Sequence, residues 1–273
     1  MGHHLVMSER QANPSVPRHE LRQRVLAGEP TIGAFVNLGS TVAAELVARA
    51  GFDWVVIDLE HGAGTEGDLY PQLLAVQSTS TAAVVRVPQA ARLPVGRVLD
   101  AGADGLMIPR LETLAEITET LSWMRYPPAG IRGVAGPTRG AGFNSIPHAE
   151  LAGRVNPGIA GVFQVESPAA VEAAEAVAAL DGVDVLFVGP ADLSHSMGIP
   201  GEFENPRFLG ALDKVAAACE AHGKAAGILL QGPSAVEAHL RRGYRFLGIG
   251  SDSGYVTAGA AWALREARAA VAG

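Results

Sequence analysis

Residues 41–62 read TVAAELVARAGFDWVVIDLEHG, and this stretch holds the fold in miniature. A segment of helical period over 41–50 runs into Gly51, where a left-handed helix cap is wanted. An apolar strand, DWVVID at 53–58, follows at once. It ends in a polar cluster, Asp58-Leu59-Glu60-His61-Gly62. The strand is continuously apolar, as expected of one buried on both faces of a parallel sheet.

The unit recurs along the chain. Further strands are expected at TIGAFV 31–36, AAVVRV 82–87, DGLMIP 104–109, AGVFQVE 160–166, DVLFVG 184–189, AAGILL 225–230 and RFLGIG 245–250. Helical period fills 66–79, 90–101, 112–123, 168–180, 206–222, 233–242 and 257–271. Ser167-Pro168 reads as an N-cap and first helical residue, and Gly102, Gly223 and Gly243 repeat the role of Gly51. Eight strands, each followed by a helix, predict an α/β protein built as a single (β/α)8 TIM barrel. A doubly wound sheet is the alternative, but no G-x-G-x-x-G turn follows the first strand. One long connection, 124–159, is rich in Gly and Pro and is expected to be functional or mobile.

Composition agrees. The 273 residues are 48% hydrophobic, 18% charged and 5% aromatic, too apolar for disorder and too weakly charged for a coiled coil. The barrel is expected over 19–273, with residues 1–18 a loosely held tail or cloning remnant. A net charge of −7 gives no reason to expect a nucleic-acid partner. No apolar run reaches the length of a membrane span, and residues 1–20 lack the apolar core of a signal peptide. The single cysteine, Cys219, excludes an internal disulfide and a thiolate zinc site, and suits the reducing cytoplasm.

A barrel works at the C-terminal ends of its strands, and chemistry-bearing residues gather there. Arg86 lies inside an apolar strand, where a guanidinium is costly unless it meets an anion. It is either half of an ion pair with Asp58 or Glu60, or a clamp for a substrate carboxylate or enolate. Glu166 and Asp192 end adjacent strands, and two converging carboxylates suit a hard divalent ion with positions open for substrate. Retaining glycosidases also place two carboxylates there, though usually beside aromatic sugar platforms. The bland alternative pairs Glu166 with Arg86 and leaves Asp192 as a helix cap. His61, three residues after Asp58, is a candidate general base oriented by a carboxylate. His195 is a weaker candidate near Asp192. GIGSDSG at 248–254 follows the last strand, where barrels often bind phosphate, although a tight turn explains it equally well. The chain has two lysines and nineteen arginines. Lys214 falls within a helix and Lys224 at the bottom of strand 7, so a Schiff-base mechanism is not expected.

These segments together resemble a known family. AELVARAGFDWVVIDLEHG at 44–62, VVRVP at 84–88, RYPPAGIRGV at 125–134, FQVES at 163–167 and FVGPADLS at 187–194 resemble the HpcH/HpaI aldolases. The resemblance implies a metal-dependent class II pyruvate aldolase on a TIM barrel, using Mg²⁺, Mn²⁺ or Co²⁺. It implies cleavage of a 4-hydroxy-2-oxo acid to pyruvate and an aldehyde. It maps the metal to Glu166 and Asp192, the enolate oxygen to Arg86, and proton transfer to His61 with Asp58. It also maps the pyruvate carboxylate to the Ala191 and Asp192 N–H groups, with Gln164 close by. Swapped dimers assembled into homohexamers are implied, with Asp100 reaching a neighbouring subunit's site. The PTRGAGFN segment matches loosely and leaves the aldehyde open. Two rival readings remain: a barrel lyase or hydrolase for a phosphorylated or CoA-linked oxo acid, and a non-catalytic oxo-acid-binding protein.

Overall fold

A computed structural model describes residues 19–110 and 112–272, so the expected tail over 1–18 lies outside the described residues. Eight parallel strands close into a barrel in chain order: β1 (Thr31–Val36), β2 (Trp54–Asp58), β3 (Ala82–Arg86), β4 (Gly105–Ile108), β5 (Ala160–Val165), β6 (Val185–Val188), β7 (Ala225–Leu229) and β8 (Tyr244–Ser251). Every expected strand is present, with ends shifted by one residue at most. The helices are α1 (His19–Leu26), α2 (Thr41–Arg49), α3 (Glu66–Gln77), α4 (Arg92–Asp100), α5 (Leu114–Met124), α6 (Leu151–Val155), α7 (Pro168–Ala178), α8 (Pro190–Ser196), α9 (Pro206–Ala221), α10 (Val236–Arg241) and α11 (Asp252–Ala272). Three of them, α1, α6 and α8, are too short to show as a periodic pattern.

The strands are buried on both faces, but the faces differ. Residues 55 and 57, 83 and 85, and 163 and 165 point outward into one core with the helices. Trp54, Val56, Val84, Val162, Val185 and Phe187 point inward and fill the barrel with Phe246. Trp54 stacks on Phe246 at 3.9 Å and donates to Thr31 Oγ1 at 3.1 Å. A Cβ on Gly33 would lie 2.1 Å from the Trp54 ring, so glycine there makes room for the indole. The side-chain period of two carries each inward series upward. Trp54 and Val56 lead to Asp58, Ala82 and Val84 to Arg86, and Val162 to Gln164 and Glu166. The polar residues of the rim are thus the top layer of the barrel interior.

Register is pinned from below. Asp53, Asp104 and Asp184 each precede an even-numbered strand. Each accepts a backbone N–H from the preceding strand, from Ile32 at 2.7 Å, Ala83 at 2.8 Å and Gly161 at 2.8 Å. Helix α1 closes this end, with Leu21 and Val25 inserted into the inner core. Gly51 and Gly102 have φ of +94° and +93°, the left-handed caps expected before β2 and β4.

The long connection finds its place, and one sequence expectation needs correction. The Gly/Pro-rich stretch between α5 and β5 does not overhang the strand ends that carry the carboxylates. It packs at the opposite end, against the close of α4, because α5 delivers the chain to the bottom of the barrel. Arg132 and Arg139 are buried within it, and Arg132 donates to Asp100 at 2.7 Å. Its sequence therefore cannot shape the aldehyde end of its own subunit's site. The final helix begins at Asp252, five residues before the expected 257. From Gly254 to Val271 every residue of α11 is exposed, including Val256, Trp262 and Leu264. The helix touches β1, β8 and α2.

Candidate active site

Seven of the expected residues line one pocket of about 420 Å³ at the open top of the barrel: Asp58, His61, Arg86, Gln164, Glu166, Ala191 and Asp192. A larger cleft of about 820 Å³ opens at the bottom beside Lys224 and Arg242, away from all of these groups.

Asp58 and Arg86 are direct register partners on β2 and β3. Arg86 donates from Nε to Asp58 Oδ1 at 2.9 Å and from Nη2 to Oδ2 at 2.6 Å. Its Nη1 lies 3.2 Å from Glu60 Oε2. Both alternatives for Arg86 therefore meet in one residue. A guanidinium has five N–H donors; Asp58 takes two and Glu60 faces a third, leaving two for an oxygen in the pocket. Burial opposes charge on both partners, yet the pair overcomes it. The hydrogen bonds and charge of Arg86 hold Asp58 below the usual carboxylate range, and Asp58, Glu60 and Glu166 raise Arg86.

The assignment of Asp58 as the orienter of His61 needs correction. Asp58 Oδ1 accepts the backbone N–H groups of Glu60 at 3.0 Å and His61 at 3.2 Å, and the rest of its carboxylate belongs to Arg86. The exposed His61 imidazole instead has Nε2 3.8 Å from Glu60 Oε2. The loop turns back over Asp58, so its backbone and not its imidazole meets that carboxylate. Glu60 is thus the carboxylate shared by the base candidate and the guanidinium.

Glu166 and Asp192 line the same pocket wall. Burial first, then the neighbouring Asp192 and Glu60 charges, push Glu166 up to about 7, with Arg86 pulling the other way. A carboxylate raised by a neighbouring carboxylate is one whose charge a bound cation would stabilise. Gln164 Nε2 donates to Glu166 Oε1 at 2.6 Å, while Gln164 Oε1 is buried with no partner. This oxygen-rich set fits a hard divalent ion. Among the described residues no group of three or more His, Cys, Asp or Glu forms a closed metal cage. The two carboxylates would therefore leave coordination positions open, as a catalytic site requires.

Helix α8 starts at Pro190, with Gly189 as N-cap. The Ala191 and Asp192 N–H groups fall in its first turn, where no upstream helical carbonyl is available to them. They are ready donors for a carboxylate beside the Glu166–Asp192 pair. His195 turns away, its Nδ1 2.8 Å from the Ala191 carbonyl. Lys214 pairs with Glu172 on the outer helices, and Lys224 stands just before β7 at the bottom. The GIGSDSG stretch closes β8 and opens α11. Its Asp252 accepts the Asn37 and Leu38 N–H groups at 2.9 and 3.2 Å, so those donors already hold a carboxylate.

Asp100 ends α4 at the far end of the barrel, so it cannot enter its own subunit's pocket. Arg110 is a site residue that no sequence pattern singles out. Its position directly after β4 is the one signal, and it lines a smaller pocket with Glu166 and Asp192.

Comparison with known proteins follows this geometry. Residues 31–258 match the family profile described as HpcH/HpaI aldolase/citrate lyase. The chain is 37% identical to a hydroxypyruvate/pyruvate aldolase of Paraburkholderia phytofirmans, covering 91% of this chain and 97% of that protein. It is 35% identical to a 5-keto-4-deoxy-D-glucarate aldolase of Klebsiella pneumoniae, covering 86% and 91%. A crystal structure of an HpcH/HpaI aldolase/citrate lyase family protein from Burkholderia cenocepacia superposes with a TM-score of 0.86, at 37% identity, over 92% of this chain and 99% of that one.

Proposed function

Because the chain belongs to the HpcH/HpaI aldolase/citrate lyase family and is a carbon–carbon lyase, we propose that it cleaves 4-hydroxy-2-oxo acids reversibly to pyruvate and an aldehyde. One observation carries the reading. The barrel's inward series end in a buried Arg86–Asp58 pair facing the Glu166–Asp192 carboxylates across one open pocket.

Glu166 and Asp192 would hold a divalent ion, Mg²⁺, Mn²⁺ or Co²⁺. When bound, that ion supplies the positive charge that takes up the enolate's negative charge. The chain's own residues do the rest. The Ala191 and Asp192 N–H groups receive the carboxylate of the 2-oxo acid. Arg86, fixed from behind by Asp58 and Glu60, aims its remaining donors at the oxygen that gains charge as the bond breaks. That donor acts mainly in the transition state, so it serves kcat. His61, with Glu60 beside it, accepts the 4-hydroxyl proton, and the carbon–carbon bond then breaks to release the aldehyde.

The same reading covers assembly. A helix exposed around its whole circumference with Trp262, Leu264 and Val256 outward needs a partner surface. Val42 and Leu46 on α2 are exposed as well, at 65% and 66%. Exchange of α11 between two copies covers both, and Asp100, remote from its own pocket and held by Arg132, then faces a neighbour's in a hexamer of such dimers. Among the described residues no helix is long and apolar enough to cross a membrane. We place the enzyme in the cytoplasm, where its lone, buried Cys219 stays reduced.

The test is a panel of 4-hydroxy-2-oxo acids, with pyruvate release coupled to lactate dehydrogenase in the presence of each metal. Pyruvate release from at least one acid is expected. Release from none, with pyruvate still bound, would leave an oxo-acid-binding protein.

A further inference from the structure

We propose that Arg110 selects the aldehyde half of the substrate, and that it selects for a carboxylate. The inference rests on the aldolase reading above and assigns the one part of the reaction that reading leaves open.

Arg110 stands immediately after β4 with φ of +55°, in the left-handed region that non-glycine residues seldom adopt. Such backbone persists where its surroundings over-determine it. The Arg110 N–H is the smallest of the influences on the Glu166 carboxylate, and it favours the charged form. The same turn throws the side chain outward over the rim. The guanidinium is 70% exposed, and its nearest carboxylate, Glu60 Oε1, is 3.8 Å from Nε. That is beyond hydrogen-bond length, and Glu60 already faces Arg86. Arg110 is therefore a cation without a tight partner, anchored beside the candidate metal ligands.

It lines a pocket of about 190 Å³ that shares Gln164, Glu166 and Asp192 with the main pocket. The two spaces meet at the candidate metal ligands. Ser167 and Ala170, the N-cap and a first-turn residue of α7, line the smaller pocket too, so the positive end of an 11-residue helix adds to the Arg110 charge. Glu112 on the same wall works against an anion, which makes the planar fork of Arg110 the deciding group. A carboxylate matches that fork with two parallel hydrogen bonds; a hydroxyl or methyl group does not. The Arg86 end receives pyruvate, so the Arg110 side receives the far end of an acidic aldehyde.

The assay runs in the synthetic direction with pyruvate, the metal-loaded enzyme and aldehydes matched in length. Glyoxylate is set against glycolaldehyde, and 4-oxobutanoate against 4-hydroxybutanal. The wild type should favour the carboxylated member of at least one pair tenfold or more in kcat/KM. Arg110→Gln should cut that preference at least tenfold, chiefly by raising KM for the acid, since the contact is equally present before and during bond formation. Arg110→Lys should keep part of it, and Arg110→Glu should reverse it. A merely structural role would not move the acid-to-alcohol ratio. An unchanged ratio in Arg110→Gln overturns the proposal. So does a loss confined to kcat and shared equally by acid and alcohol, which would assign Arg110 to the support of Glu166. Exchange of the pyruvate methyl protons with deuterated solvent, followed separately, tells the two failures apart. Exchange with an unmoved ratio refutes only the role of Arg110, whereas no exchange and no aldol product in the wild type refutes the aldolase reading and this one with it.

Discussion

Asp58→Asn is the sharpest perturbation of the site because it removes a charge and almost no volume. Asp58 and Arg86 are 4% and 8% exposed and joined by bonds of 2.9 and 2.6 Å. Removing one partner of a buried pair costs about 3–5 kcal/mol. Glu60, 3.2 Å from Arg86 Nη1, remains as a second counter-charge, so a loss nearer to about 2–4 kcal/mol is expected in urea unfolding. The kinetic loss has a separate origin. An amide in place of the carboxylate accepts one guanidinium N–H and opposes the other, so Arg86 swings from its aim. A misplaced transition-state donor costs about 3 kcal/mol, roughly a hundredfold in kcat. Pyruvate release coupled to lactate dehydrogenase measures it. A double-mutant cycle then asks which residue Asp58 serves. Asp58→Asn should be strongly non-additive with Arg86→Lys and close to additive with His61→Ala. Coupling to His61 and additivity with Arg86 would refute the reasoning, as would Asp58→Asn with kcat within twofold of wild type and unchanged stability.

Three further outcomes follow from the same geometry. EDTA should abolish activity, Mg²⁺, Mn²⁺ or Co²⁺ should restore it, and Glu166→Ala should lose most metal affinity by titration calorimetry; full activity in metal-stripped protein would refute the site. In the metal-free protein Glu166 is raised to about 7, so its stability contribution is present below the unfolded value of about 4.3 and is lost as pH climbs to 7. Wild type should therefore lose on the order of 3 kcal/mol relative to Glu166→Gln between pH 4.5 and 8 in urea melts, with added metal reversing the loss; a pH-independent difference would remove the carboxylate repulsion from the account. Borohydride with pyruvate should leave activity and mass unchanged, because Lys214 is paired with Glu172 outside the barrel and Lys224 lies at its base; a trapped adduct on either lysine would overturn the metal mechanism.

Much of this was legible in the chain because it is local. Apolar runs, helical periods and the glycines before strands are set by neighbours in sequence, and eight such units leave few closed architectures. Since barrels work at strand ends, the same reading picks out Asp58, Arg86, Glu166 and Asp192, the resemblance adds Gln164, and the pocket brings all five together. The aldolase resemblance adds the chemistry expected of them. What it could not supply are contacts that depend on register and on the path of a few turns. Asp58 faces both His61 in sequence and Arg86 across the sheet; register on adjacent strands gives its carboxylate to Arg86. The long Gly/Pro segment stands out in sequence by length and composition alone, and only the direction of α5 shows that it lies at the end away from the carboxylates. Arg110 reads as one more surface arginine until the fold sets it, in a left-handed turn, in a pocket with Glu166 and Asp192. Helix α11 carries an ordinary helical pattern, and only the folded chain shows that Val256, Trp262 and Leu264 are left exposed. Periodicity determines which elements form, because it is a property of neighbouring residues. Which charged group meets which, and which face is left uncovered, is a property of distances between remote residues, and those exist only once the barrel has closed.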